Sequence, residues 1–200
     1  MRLLIISGPT GSGKTSLSKQ ISNKIENSYI LSTDNYYKTG IISKFLSRFI
    51  KIYFDRKISF NYRLFIKDFK YIIKNEKINH GYSYDFKNKK INKYLHKKES
   101  INLLIIEGIF AGELFNDYKK RNYSFVELKI NKNVCMERAI KRDMLERGKD
   151  NIKSKIDFLK SWDFYYARNN KNSRKYEINF LLSNKADIDS LLNKFSNLKF

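Results

Sequence analysis

Apolar residues fall in short runs, most of them unbroken, and between those runs they recur at three- and four-residue intervals. The runs occupy residues 3–7, 29–32, 103–106, 125–130 and 176–182. A half-exposed strand would alternate apolar with polar positions; these runs are apolar nearly throughout, as in a parallel sheet covered on both faces. Helical spacing predicts helices over 14–27, 43–53, 62–74, 134–147 and 152–168, and a last one over 187–195. In that last helix Ile188, Leu191, Leu192 and Phe195 share one face. Strands alternating with helices predict an α/β fold with a doubly wound, five-stranded parallel sheet. Residues 34–100 are too many for a simple crossover, and predict a helical substrate arm followed by a small hairpin around 78–95. Such excursions usually carry specificity.

At 200 residues the chain reads as one domain with room for a real core, and 42% hydrophobic content excludes a disordered chain. The single cysteine, Cys135, excludes an intramolecular disulfide and suits a reducing, cytoplasmic compartment. Its helical setting predicts a small buried side chain rather than a reactive thiol. No apolar run nears the ~18 residues of a membrane span, and the first is too short for a signal peptide. The formal charge is +21, but lysines are spread along the chain rather than gathered into a block. Nucleic acid is therefore not an expected partner on charge alone.

Directly behind the first run stands Gly8-Pro9-Thr10-Gly11-Ser12-Gly13-Lys14-Thr15, which spells G-x-x-x-x-G-K-[ST]. This is a phosphate-binding loop. Glycines let the backbone turn its N–H groups inward, and the helix continuing through Ser16 aims its positive dipole end at the same anion. Lys14 can reach the β- and γ-phosphates, and the Thr15 hydroxyl can ligate Mg²⁺. The motif names a nucleoside triphosphate as a ligand.

Two carboxylates follow strands. Asp34 ends the second run, at the carboxyl edge where α/β proteins bind ligands. It can accept a hydroxyl proton in phosphoryl transfer, or merely cap a turn. Glu107 closes the run 103–106 in the Walker B manner, where a carboxylate holds a metal or its water; an ordinary strand-end charge is the alternative. Residues 138–150 form a basic helix ending at Gly148. Its arginines can make a lid over a nucleotide, or a solvated face with Glu137–Lys141 and Arg142–Glu146 pairs.

Together these segments resemble the uridine kinase family, in the nucleoside-kinase branch of P-loop kinases. The resemblance runs through Gly8–Thr15, Ser32-Thr33-Asp34-Asn35-Tyr36-Tyr37-Lys38, Phe54-Asp55 with Phe60, Tyr84-Asp85-Phe86, Ile106-Glu107-Gly108-Ile109, and Lys141 through Lys149. It implies phosphorylation of the 5′-hydroxyl of uridine or cytidine by ATP or GTP. By resemblance, Asp34 is the catalytic base and Lys14 binds phosphate, while Thr15 and Glu107 hold Mg²⁺. Asp55 binds the ribose hydroxyls, Tyr37 and Tyr84 line the nucleoside pocket, and Arg142 and Arg147 are lid arginines. Lys149 stands where an arginine usually helps hold the substrate, so a planar fork becomes a point charge. Related kinases often form oligomers, which leaves a homo-oligomer open.

Other departures fall in the base-reading half. Arg56-Lys57 replaces the His-Pro that usually follows Phe-Asp, Lys89 replaces a base-reading histidine, and Ala139 sits at a second lid-arginine position. His80 and His96 lie off the expected position. These departures motivate an alternative acceptor, such as pantothenate or a sugar phosphate. The +21 charge and 15% aromatic content motivate a third reading, a nucleotide-gated RNA-binding protein.

Overall fold

Five parallel strands form the centre of the protein in a computed structural model that describes residues 1–119, 121–172 and 180–196. In chain order the first elements are β1 (Arg2–Ser7), α1 (Lys14–Lys24), β2 (Ser28–Ser32), α2 (Ile41–Phe49), α3 (Tyr62–Asn75), β3 (Ile78–Asp85) and β4 (Lys90–Lys98). There follow β5 (Leu103–Glu107), α4 (Phe115–Tyr118), β6 (Tyr123–Leu128), α5 (Lys132–Arg147), α6 (Asn151–Asn172), β7 (Phe180–Leu182) and α7 (Lys185–Ser196). The sheet runs β2-β5-β1-β6-β7, and β3 pairs with β4 in a separate antiparallel hairpin. The expected doubly wound sheet is present, with helices on both faces.

The unbroken apolar runs are explained by this burial. In β1, Leu4 and Ile6 pack with Leu17 and Ile21 of α1 and Leu191 and Leu192 of α7. Leu3 and Ile5 point the other way, into a core with Phe65, Phe69 and Ile72 of α3 and with Ile78 of the hairpin. Burying each such side chain stabilises the fold by about 1.5–3 kcal/mol. Among the described residues no helix is long and apolar enough to cross a membrane.

Element ends differ from the periodicity where the backbone turns left-handed. Helix α1 stops at Lys24, with Ile25 extended and Asn27 at φ 56°, short of the predicted 27. Helix α2 starts behind Gly40 and stops at Phe49, because Ile52 takes φ 50° and leads into a tight 3₁₀ turn over Tyr53–Asp55. That turn delivers Asp55. The hairpin extends to Lys98, beyond the predicted 95, and α6 runs on to Asn172. A 3₁₀ turn over Ala111–Leu114 and the short α4 were not legible in the spacing. Residues 176–179 of the last predicted strand, and the Phe195 side chain of the last helix, lie outside the described residues.

Candidate active site

The strand order reverses at β1, so the loop behind it opens into a crevice at the carboxyl edge of the sheet. Gly11 (φ 76°) packs so closely on α5 that a Cβ there would collide with the Cys135 carbonyl. The loop conformation therefore depends on glycine at this position. Lys14 begins α1, is buried, and donates from Nζ to the Pro9 carbonyl at 2.8 Å, curling back over its own loop. Burial lowers its pKa, while Asp34 and Glu107 oppose that shift. A desolvated ammonium gains most from an arriving anion, because low dielectric strengthens the attraction.

Thr15 and Glu107 meet across this crevice, the threonine hydroxyl donating to Oε2 at 3.4 Å. Burial raises the Glu107 pKa and Asp34 adds to the effect, against hydrogen bonds from Ser32 and Thr15. Asp34 lines the cleft, and its buried Oδ1 has no hydrogen-bond partner among the described residues. The loop after β5 lies close against it. Gly108 (φ 132°) touches Thr33 so tightly that a Cβ would overlap that hydroxyl and come within 3.4 Å of Asp34 Oδ1.

A hydroxyl, a carboxylate and a partnerless carboxylate oxygen suit a hard cation such as Mg²⁺, which takes one or two carboxylates and completes its shell with phosphates and water. Among the described residues no group of three or more His, Cys, Asp or Glu is gathered for a metal. That donor set fits an ion arriving with a nucleotide.

The cleft extends beyond Asp34 to a total of about 940 Å³. Tyr37, Phe54 and Phe86 form its aromatic wall, with ring centroids 5.2–5.5 Å from Tyr37. Burial, with the charges of Asp34 and Asp55 adding to it, pushes the Tyr37 phenol well above its ordinary pKa, so Tyr37 stays protonated. Tyr84 packs behind this wall against Tyr37, Phe54 and Phe86 rather than on the cleft surface. Asp55 faces the cleft while Ser161 of α6 donates to its Oδ2 at 2.6 Å. Arg168, about two turns further along α6, donates to the Asp55 carbonyl at 2.7 Å and the Ile109 carbonyl at 2.9 Å. Its Nε meets Glu113 at 2.9 Å. Burial raises the Asp55 pKa against the hydrogen bond from Ser161 and the charge of Arg168.

The lid residues converge on one acid. Arg142 contacts Asp143 Oδ1 at 2.7 Å, Arg147 contacts the same oxygen at 3.4 Å, and Lys149 contacts Oδ2 at 3.1 Å. Arg142 also reaches the Thr10 hydroxyl at 3.4 Å, Arg147 lies 3.9 Å over the Phe86 ring, and Lys149 pairs with Asp157 at 2.9 Å. Ala139 and Arg138 line the cleft beside them. Of these charges, Arg142 reaches the phosphate loop at Thr10, while Arg147 turns toward the hairpin.

A family model described as "Phosphoribulokinase / Uridine kinase family" matches residues 3–165. The chain belongs to this family. It is 32% identical over 151 residues to the uridine kinase of Borrelia duttonii (strain Ly), covering 74% of this chain and 70% of that one. With the uridine kinase of Borrelia garinii subsp. bavariensis it shares 31% over 169 residues, or 82% and 79% of the two chains. A candidate uridine kinase structure from Bacillus stearothermophilus superposes with TM-score 0.59 at 13% identity, over 90% of this chain and 87% of that one. A candidate fructose transport system kinase from Silicibacter sp. TM1040 superposes at TM-score 0.66 and 14% identity, over 90% and 88%. These two share the P-loop kinase fold.

As a member of this kinase family, the chain brings Lys14, Thr15, Asp34, Glu107, Arg142 and Arg147 to one cleft, with Asp55, Tyr37 and Lys149 on its walls. Three contributors were not legible beforehand: Asp143, Ser161 and Arg168. Asp143 did leave a signal, because Cys135, Ala139 and Asp143 form a buried stripe at four-residue spacing on α5. Ser161 and Arg168 meet Asp55 across 106 and 113 residues, and no local spacing encodes that. Lys89, in place of the expected histidine, donates to Ser47 of α2 at 2.7 Å and ties the hairpin turn to the arm. His80 lies 3.5 Å from Asp68, and His96 packs on Tyr29 and Tyr94.

Proposed function

We propose that this kinase transfers the γ-phosphate of ATP or GTP to the 5′-hydroxyl of a pyrimidine nucleoside, uridine or cytidine. The observation that carries the reading is Asp34. It is a cleft-lining carboxylate whose buried oxygen has no partner among the described residues, and its charge is felt by Lys14, Glu107, Tyr37 and Asp55. Loop amides and Lys14 bind the triphosphate. Thr15 and Glu107 would hold the Mg²⁺ that screens the phosphate oxygens when bound. Asp55 orients the ribose and the aromatic wall packs the base. Asp34 accepts the hydroxyl proton as that oxygen bonds to the γ-phosphorus and the bond to the ADP or GDP oxygen breaks. Arg142 and Arg147 stabilise the charge on the transferring group. The buried free Cys135 fits a reducing compartment, and we place the enzyme in the cytoplasm on that basis.

A second reading is favoured by one observation. Arg48, Lys51, Lys87, Lys89 and Lys153 line the same cleft, and none has an ion pair among the described residues. Burial and repulsion from Arg48, Lys153 and Lys44 lower the Lys89 pKa. A neutral nucleoside leaves such charge unanswered, whereas an anionic acceptor such as pantothenate or a sugar phosphate answers it. Incubation with γ-labelled ATP and uridine, cytidine, pantothenate or a sugar phosphate separates the two. Label on a pyrimidine nucleoside is expected, and label on an anionic acceptor alone would reject the first reading.

A further inference from the structure

We infer that Asp143 is a positioning residue for phosphoryl transfer, its single buried carboxylate holding Arg142, Arg147 and Lys149 converged on the cleft before a triphosphate arrives. The placement is one that local helix energetics disfavour. Asp143 lies in the last turns of α5, where the helix dipole is unfavourable to an acid, and it occupies the buried stripe begun by Cys135 and Ala139. Only 6% of it is exposed. Burial alone would raise the carboxyl pKa, but Arg147, Arg142 and Lys149 outweigh it together and leave the group below its ordinary value. Asp143 is therefore an anion throughout the neutral range.

Each cation has a second contact on a different wall. Arg142 touches Thr10 in the phosphate loop, Arg147 covers Phe86 in the hairpin, and Lys149 pairs with Asp157 on α6. One carboxylate thus ties together the donor loop, the hairpin and the helix that carries Ser161 to Asp55. Without it, three like charges would face one another across the cleft and swing toward solvent. With it, the guanidinium groups are already in place, and an arriving phosphate draws them without a search through side-chain rotamers. The role rests on the kinase reading, because it presupposes transferring phosphate charge beneath these cations.

Asp143→Asn keeps the shape and removes the charge, while Asp143→Glu restores the charge on a longer arm. In Asp143→Asn, kcat falls roughly 10–100-fold with the KM for ATP within about twofold, equally across the neutral pH range. Asp143→Glu recovers most of the lost kcat. Side-chain ¹⁵N relaxation of the ligand-free protein supplies a readout independent of turnover. The Nε–H groups of Arg142 and Arg147 are rigid in the parent and mobile in Asp143→Asn. Unchanged kcat in Asp143→Asn, no recovery in Asp143→Glu, or arginines already mobile in the parent would overturn the inference. If the parent phosphorylates no acceptor at all, the kinase reading fails instead, and the relaxation data still decide whether Asp143 holds the cations.

Discussion

The two ends of the cleft treat charge differently. At the donor end four cations face carboxylates: Lys14 lies near Asp34 and Glu107, and Arg142, Arg147 and Lys149 share Asp143. At the acceptor end Arg48, Lys51, Lys87, Lys89 and Lys153 line the wall with no ion pair among the described residues, beside the rings of Phe54 and Phe86. In the proposed reading the donor end serves a triphosphate, whose chemistry is the same whatever the acceptor, so its geometry is set in advance. The acceptor end is assembled from α2, the hairpin turn and α6, segments that can vary without disturbing the sheet. On that reading, the difference assigns specificity to the acceptor end.

Removing Asp34 tests the boundary between the two ends and carries the largest effect. Asp34→Asn should lower kcat by about 10²–10⁴-fold while nucleotide affinity, measured by titration calorimetry, is retained. Loss of ATP binding instead would place Asp34 on the donor side. Next in size, Asp55→Asn should reduce kcat/KM for a ribonucleoside roughly 10–100-fold, mainly through KM, by leaving a hydroxyl of the substrate without its partner. An equal loss with a deoxynucleoside acceptor would argue against contact with the ribose hydroxyls. Phe86→Ala removes both a ring of the aromatic wall and the surface under Arg147, and a smaller fall of about tenfold is expected.

Legibility in the sequence follows the same division. Glycine spacing, a lysine and a strand-end carboxylate carry the donor end within short windows, so Gly8 to Thr15 and Glu107 were readable locally. The sheet was readable because each run of β1 and β5 is apolar on both faces. The path to Asp55 was not, because it depends on Ile52 adopting a left-handed conformation that no residue type announces. The i, i+4 spacing offered Glu146 as the partner of Arg142, and the structure pairs it with Asp143 instead. Both lie on the same helix, and only packing of the Cys135–Ala139 stripe against α6 shows which acid is buried.

Stability should separate the buried acids by sign rather than by end, with the smallest effect. Burial raises the folded-state pKa values of Glu107 and Asp55 above their unfolded values near 4. Each ionised acid therefore destabilises the ligand-free fold at neutral pH, and that penalty is relieved as pH falls through the folded pKa. Asp143 has the opposite sign. Its stabilisation is present above the unfolded pKa and disappears as pH falls through its depressed folded value. Thermal melts of Glu107→Gln should thus show a raised Tm at neutral pH and a shrinking advantage on acidification, even as activity drops. A lowered Tm at neutral pH would contradict the burial penalty assigned to Glu107.

The central claim is transfer from the phosphate loop past Asp34 to a primary hydroxyl of a pyrimidine nucleoside. A proton-coupled ³¹P spectrum of the products from uridine, ATP and Mg²⁺ tests it most directly. A phosphomonoester triplet, split by the two 5′ protons, is the predicted result. A doublet from a secondary hydroxyl, or ATP consumed with no monoester on the nucleoside, would contradict it.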